Sequence, residues 1–210
     1  MGAYENFIKD FPSRCNDLLS DFSRLAEYRG REVTLMLSLA ASGLIIPYER
    51  LKAGSEHPSS DRRIFEEAAK EIDKLSETPF LGSAFWNSNP DSWRFGKDIE
   101  ITTDGINVWA LDNNAKPLSP KKQSKTVIGD LRNALAHGNI FTRGNPIETL
   151  IFITKPHTES NKFNFYMVSP NDFKKFLSKW FDFIESMRIP DKIPVGGTIK
   201  QSLLEDYSLR

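Results

Sequence analysis

The chain has 210 residues, of which 39% are apolar and 27% charged, enough for one domain with a sizeable core and too apolar for a disordered chain. Its 28 Lys and Arg balance 28 Asp and Glu, which excludes a general polyanion binder held by net charge, and its single cysteine, Cys15, excludes an intramolecular disulfide or a Cys-rich zinc site. The first 15 residues lack an apolar signal core, and the longest apolar run, 35–46, is well short of the roughly 20 residues that cross a bilayer, so a cytoplasmic protein without membrane association is expected.

Phe7, Phe11, Cys15, Leu18, Phe22 and Leu25 recur every three or four positions and predict one apolar helix stripe, with the main helix starting near Phe11 so that Pro12 falls in its first turn. Residues 32–46 are apolar around most of a helix circumference, the pattern of an enclosed central helix that Pro47 ends. A loop through His57 and Pro58 leads to a third helix carrying Ile64, Phe65, Ala68, Ile72 and Leu75. The aromatic-rich stretch 79–96, with Trp86, Trp93 and Phe95, fits no period and is expected to be an ordered loop pinned to the core. Asp104-Gly105 between 99–103 and 106–111 predicts a tight hairpin.

Ser119 and Pro120 supply an N-cap and first-turn signal for a fourth helix whose Ile128, Leu131 and Leu135 share a face, with Gly138 as its stop. Strands follow at 148–155 and 162–168. A fifth helix opens at Ser169-Pro170 and buries Phe173, Phe176, Leu177, Trp180, Ile184 and Met187. The expected organisation is a single domain over 1–189 and a tail over 190–210, of mainly helical class with β-hairpin insertions.

No phosphate-binding glycine loop, dinucleotide fingerprint, zinc motif or serine-hydrolase elbow is present. Chemistry concentrates instead at the end of the fourth helix, where Arg132, Asn133 and His137 lie within six residues. Asn133 and His137, four apart, share a helix face, whereas Arg132 stands five residues from His137, about 140° around the axis, and has to reach around to join them. A helix C-terminus attracts cations through its partial negative charge, a setting suited to a proton-donating imidazole, and Arg offers a planar fork for phosphate oxygens. Cleaving RNA without a metal needs a base for the 2′-hydroxyl, an acid for the 5′-oxygen and cations around the phosphorane. One His and one Arg are too few for all of these, so a twofold dimer with a composite site is expected.

Arg132-Asn133 followed by His137, together with the 30–49 segment beginning Glu32-Val33-Thr34-Leu35 and ending Pro47-Tyr48-Glu49, resembles the HEPN superfamily of helical ribonucleases, in which Arg precedes His by four to six intervening residues and Asn often follows the Arg. The resemblance implies a helical bundle of about five helices, a homodimer, no cofactor and no metal, and a metal-independent endoribonuclease leaving 2′,3′-cyclic phosphate and 5′-hydroxyl ends. It implies a toxin or antiviral effector, with an antitoxin or regulatory partner. Arg132, Asn133 and His137 are then the catalytic residues. Around them, 115–144 carries Lys116, Lys121, Lys122, Lys125, Arg132 and Arg143 against Asp130 alone. This local excess nominates Lys121, Lys122, Lys125 and Arg143 as RNA contacts, with Asn139 orienting His137 or substrate. Competing readings are a noncatalytic HEPN-like module binding RNA, a nucleotide or a partner, and a plain dimerisation scaffold. His57 and His157 lack helical partners, Cys15 reads as core, and Glu27, Glu32 and Glu49 have no neighbouring His that would make a metal site.

Overall fold

The computed structural model describes residues 7–51, 70–82, 92–100, 107–155 and 162–187. Helices α1 (Phe7–Tyr28) and α2 (Glu32–Leu51) are joined by a tight turn at Gly30, whose φ of 62° lets Gly30 N–H reach Glu27 O and Arg31 N–H reach Ala26 O. α1 starts at Phe7 rather than near Phe11, so Pro12 sits inside it. Its buried line is Ile8, Cys15 and Leu19, continued by Ser23, whose hydroxyl is satisfied by the Leu19 carbonyl. The predicted stripe is therefore split: Leu18, Phe22 and Leu25 point outward, 44%, 47% and 54% exposed. The last helix, α4 (Pro170–Ser186), takes its place beside α1 through Asn16, which bonds Asp182 and Ser178.

α2 does not end at Pro47 but runs on to Leu51. Proline has no N–H for the carbonyl four residues back, which is that of Gly43. That carbonyl is instead met by the buried Trp180 indole N–H at 3.0 Å, so the missing helix bond is replaced from α4. Gly43 also leaves the room that α4 fills, since a Cβ there would stand 2.5 Å from the Phe181 ring. α4 itself follows the sequence signals: Ser169 caps it by accepting from Asp172 N–H, Pro170 opens it, and Phe173, Phe176, Leu177, Trp180, Ile184 and Met187 are all buried.

The strands β1 (Arg94–Glu100), β2 (Lys116–Pro117), β3 (Ile140–Arg143), β4 (Thr149–Thr154) and β5 (Lys162–Val168) form one antiparallel sheet in the order β2-β1-β5-β4-β3. With the helices this gives the mainly helical α+β class expected, the strands merging into one sheet. One sheet face, with Leu150, Phe152, Tyr166 and Val168, packs on the helices. The other, with Ile151, Ile153, Phe163, Phe165 and Met167, is covered by Leu111 and Ala115. Cover on both faces explains why β4 reads as a continuous apolar run without alternation.

Two local expectations are corrected. Residues 107–111 are not a strand: the Asn107 side chain accepts from Trp109 N–H at 3.0 Å and its carbonyl from Ala110 N–H, starting a 3-10 turn over Ala110–Asn114. Residues 94–96 of the expected loop are the start of β1, while Trp93 just before it is fully buried as anticipated. The hairpin turn at Asp104-Gly105, Trp86, His57, His157, the first part of the third helix and the tail lie outside the described residues.

Candidate functional site

Helix α3 (Ser124–Ala136) begins four residues after Pro120, so Ser119 is not its N-cap. Ser119 makes a turn instead, accepting from Lys122 and Lys121 N–H. The reason lies in an earlier stretch of the same chain: Phe80 N–H bonds Lys122 O, and Ser124 and Lys125 N–H bond Thr78 and Leu75 O, tying 122–125 to residues 75–80, just after the helical segment 70–74, before α3 can start. Val127, Ile128, Leu131, Ala134 and Leu135 then face the core.

The C-terminal turn is fixed by Gly138, at φ 66°, as the sequence suggested. Gly138 N–H reaches Leu135 O at 3.2 Å and Asn139 N–H reaches Ala134 O at 2.8 Å, the paired bonds of a Schellman motif. No atom crowds the position of a Gly138 Cβ, so the positive φ, not space, calls for glycine. Ile153 N–H bonds Asn139 O at 2.9 Å, and β3 pairs at once with β4, Ile140 opposite Phe152. This reversal folds the end of β4 against the last turn of α3.

Between them opens a cleft of about 510 Å³, lined by Asn133, His137, Asn139, Ile153, Thr154 and Lys155. Three of these belong to the predicted site. His137 is exposed and Asn133 half-buried, both on the cleft side, and Asn139 joins them from beyond the turn. Thr154 and Lys155 were missed by sequence reasoning, and nothing in a buried β-strand pattern would have found them. Thr154 is 4% exposed, and among the described residues its hydroxyl has no hydrogen-bond partner.

Arg132 does not reach around. Its guanidinium turns to α2, with Nη2 2.8 Å from Glu49 Oε1 and Cζ 5.5 Å over the Tyr48 ring. Glu49 Oε1 and Arg132 Nε have no properly angled hydrogen bond, so the contact is an ion pair without the bidentate fit that makes such pairs strong. Arg132 thus points away from Asn133 and His137 rather than outward with them, because the approximately 140° between Arg132 and His137 brings a different neighbour to each.

The basic stretch is also redistributed. Lys125 pairs with Asp73 at 2.7 Å, and Arg143 pairs with Asp112, its Nη2 donating to Oδ1 at 3.0 Å and its Nη1 2.7 Å from Oδ2 without a hydrogen bond, with its guanidinium over Trp109. Lys122 lies 4.0 Å over the Phe95 ring, and burial lowers its pKa against the pull of Asp130. Lys121 is exposed. The sequence excess of cations is therefore partly cancelled by carboxylates from elsewhere in the chain. Below the helix, Tyr166 O–H donates to Asp130 at 2.6 Å. Burial raises the Asp130 carboxyl above its ordinary range, opposed by that bond and by Lys122, and burial with the Asp130 charge pushes the Tyr166 phenol up. This network sews α3 to β5.

Among the described residues no three His, Cys, Asp or Glu side chains gather as a metal site, and no helix is long and apolar enough to cross a membrane. Cys15 is buried, its thiol pushed up to about 11 by burial.

A family model described as HEPN pEK499 p136 matches residues 1–191. The chain belongs to this HEPN family. No curated protein and no solved structure matches it. Membership places the chain among RNase-type or HEPN-like modules.

Proposed function

We propose that this HEPN protein is a metal-independent endoribonuclease acting as a homodimer, a toxin or antiviral effector of the cytoplasm restrained by an antitoxin or regulatory partner. The observation that carries the reading is the cleft at the helix end, where an exposed imidazole and two carboxamides line a space of about 510 Å³, the size of a small-molecule site. His137 moves the proton. The 2′-oxygen of the substrate forms a bond to the adjacent phosphorus as its proton passes to a base. The bond from phosphorus to the 5′-oxygen breaks as that oxygen takes a proton from an acid, leaving a 2′,3′-cyclic phosphate and a 5′-hydroxyl. Each chain offers one His at this turn, so base and acid come from two copies of it. Asn133 and Asn139 hold His137 or the nucleotide, and Arg132, once phosphate displaces Glu49, steadies the anion. Lys121, Lys122, Lys125 and Arg143 contact the RNA further out.

A second reading, a noncatalytic HEPN-like module for RNA, a nucleotide or a partner protein, is favoured by one observation: the Arg132 guanidinium is held by Glu49 and Tyr48 on the flank away from His137. The two readings separate when wild type and His137→Ala are incubated with cellular RNA in EDTA and the ends are analysed. Discrete cuts with cyclic phosphates from wild type alone support the ribonuclease. No cuts by folded, dimeric wild type favour the binding module.

A further inference from the structure

The cleft has a wall that neither the motif nor the helix accounts for. Its far side is the end of β4, whose Thr154 and Lys155 line the opening together with Asn133, His137 and Asn139. Two independent features mark this wall. Among the described residues Lys155 has no carboxylate partner, whereas Arg132, Lys125 and Arg143 are each matched to Glu49, Asp73 and Asp112. Thr154, 96% buried in the same wall, keeps a hydroxyl without a hydrogen-bond partner among the described residues. Folded proteins seldom leave a buried hydroxyl unpaired, and valine, of equal shape, would fill a sheet position without that defect.

We propose that the end of β4 is the nucleotide-holding half of the cleft: Lys155 binds the phosphate of one ribonucleotide, and the Thr154 hydroxyl, turning about its χ1 bond, hydrogen-bonds the base of the same nucleotide. The identity of the ligand rests on the ribonuclease reading. The placement of its phosphate opposite His137 does not require Arg132, and it gives the cation that the cleft otherwise lacks. A lysine serves as a point charge for phosphate, which suits an exposed position at the cleft mouth.

The test is titration of the full chain with the four ribonucleoside 3′-monophosphates, followed by NMR, for wild type, Lys155→Ala, Lys155→Arg, Thr154→Val and a distant control, Lys179→Ala. Lys155→Ala should weaken binding about fivefold for all four nucleotides, with Lys155→Arg restoring most of it. Thr154→Val should weaken binding of the preferred base selectively and at the same time raise the melting temperature, a combination that a purely structural threonine would not produce. Lys179→Ala should bind as wild type. Unchanged affinities in Lys155→Ala and Thr154→Val, or no binding by wild type at millimolar nucleotide, overturn the proposal. Wild type that cuts RNA while these variants bind normally leaves the ribonuclease standing and removes this wall from it. Wild type that binds nucleotides through Lys155 and Thr154 yet never cuts RNA removes the ribonuclease and keeps the site.

Discussion

Removing the indole N–H of Trp180 tests how α2 survives a proline. Its acceptor, the Gly43 carbonyl, has lost its own helix donor to Pro47, and both Gly43 and Pro47 are buried. In Trp180→Phe the carbonyl is left unpaired in the core, at about 1–3 kcal/mol, and the smaller ring leaves space at a fully buried position for about 1–2 kcal/mol more. In Pro47→Ala, residue 47 regains an N–H for the same carbonyl, so Trp180→Phe in that background keeps only the packing loss. A double-mutant cycle by urea denaturation, read by far-UV circular dichroism, should therefore show a coupling of about 1 kcal/mol between the two sites. Additive effects within about 0.5 kcal/mol would refute the account of α2 given above. The consequence reaches the site, because the turn that this bond preserves carries Tyr48 and Glu49 onto Arg132.

Glu49→Gln should free Arg132 for phosphate and raise RNA affinity about threefold by filter binding, while stability moves by less than about 1 kcal/mol because Glu49 is 44% exposed; unchanged affinity would show that the ion pair does not compete with RNA. Asp130 has its folded pKa raised by burial, so its contribution to stability is fully present below the ordinary carboxylate pKa and is lost as pH rises through the raised value. Asp130→Asn should therefore gain stability relative to wild type as pH goes from 4 towards neutrality, measured by melting curves, and a difference that is flat with pH would contradict this. Cys15, with its thiol pushed up from 9.0 to about 11, should react with iodoacetamide near pH 8 at least about 100-fold more slowly in the native chain than in the unfolded one. His137→Ala should abolish cleavage with little loss of stability, since the side chain is exposed and is the C-cap only through its backbone.

The helix ends were legible wherever a single residue decides the local backbone. Gly138 and the Ser169-Pro170 pair did what φ and capping chemistry require. The errors came where a distant partner outvoted local preference. Pro47 ends a helix in isolation, but Trp180, 133 positions away, supplies the lost bond. Ser119-Pro120 is a good helix start, but the strand-like pairing of 122–125 with 75–80 delays α3 to Ser124. The α1 stripe was drawn through Leu18 and Phe22, but the face that meets α4 runs through Leu19 instead. In the site, helix geometry alone put Asn133 and His137 together and set Arg132 apart. What it could not reveal was which side chains stood on the two flanks, Glu49 on one and Thr154 with Lys155 on the other, since those depend on α2 and on the β3–β4 pairing.

The split between Arg132 and His137 constrains how an RNA strand can lie on the protein. A phosphate touching the His137 imidazole stands on the β4 flank of α3, whereas the Arg132 guanidinium rests on the α2 flank, with Asn133 on the ridge between them. For both to act on one phosphate within one chain, Arg132 has to leave Glu49 and cross that ridge, exchanging a partly buried ion pair that lacks a bidentate fit for a bidentate phosphate contact. That exchange is favourable only when the phosphate is already held, and Lys155 is the cation positioned to hold it. In a twofold dimer the same logic is stronger, because Arg132 of one copy then needs only to face the cleft of the other. On the proposed function, the ion pair with Glu49 keeps Arg132 away from His137 until an anion arrives. This order of events makes Glu49→Gln and Lys155→Ala opposite perturbations of one site: the first should lower the anion concentration that engages Arg132, and the second should raise it.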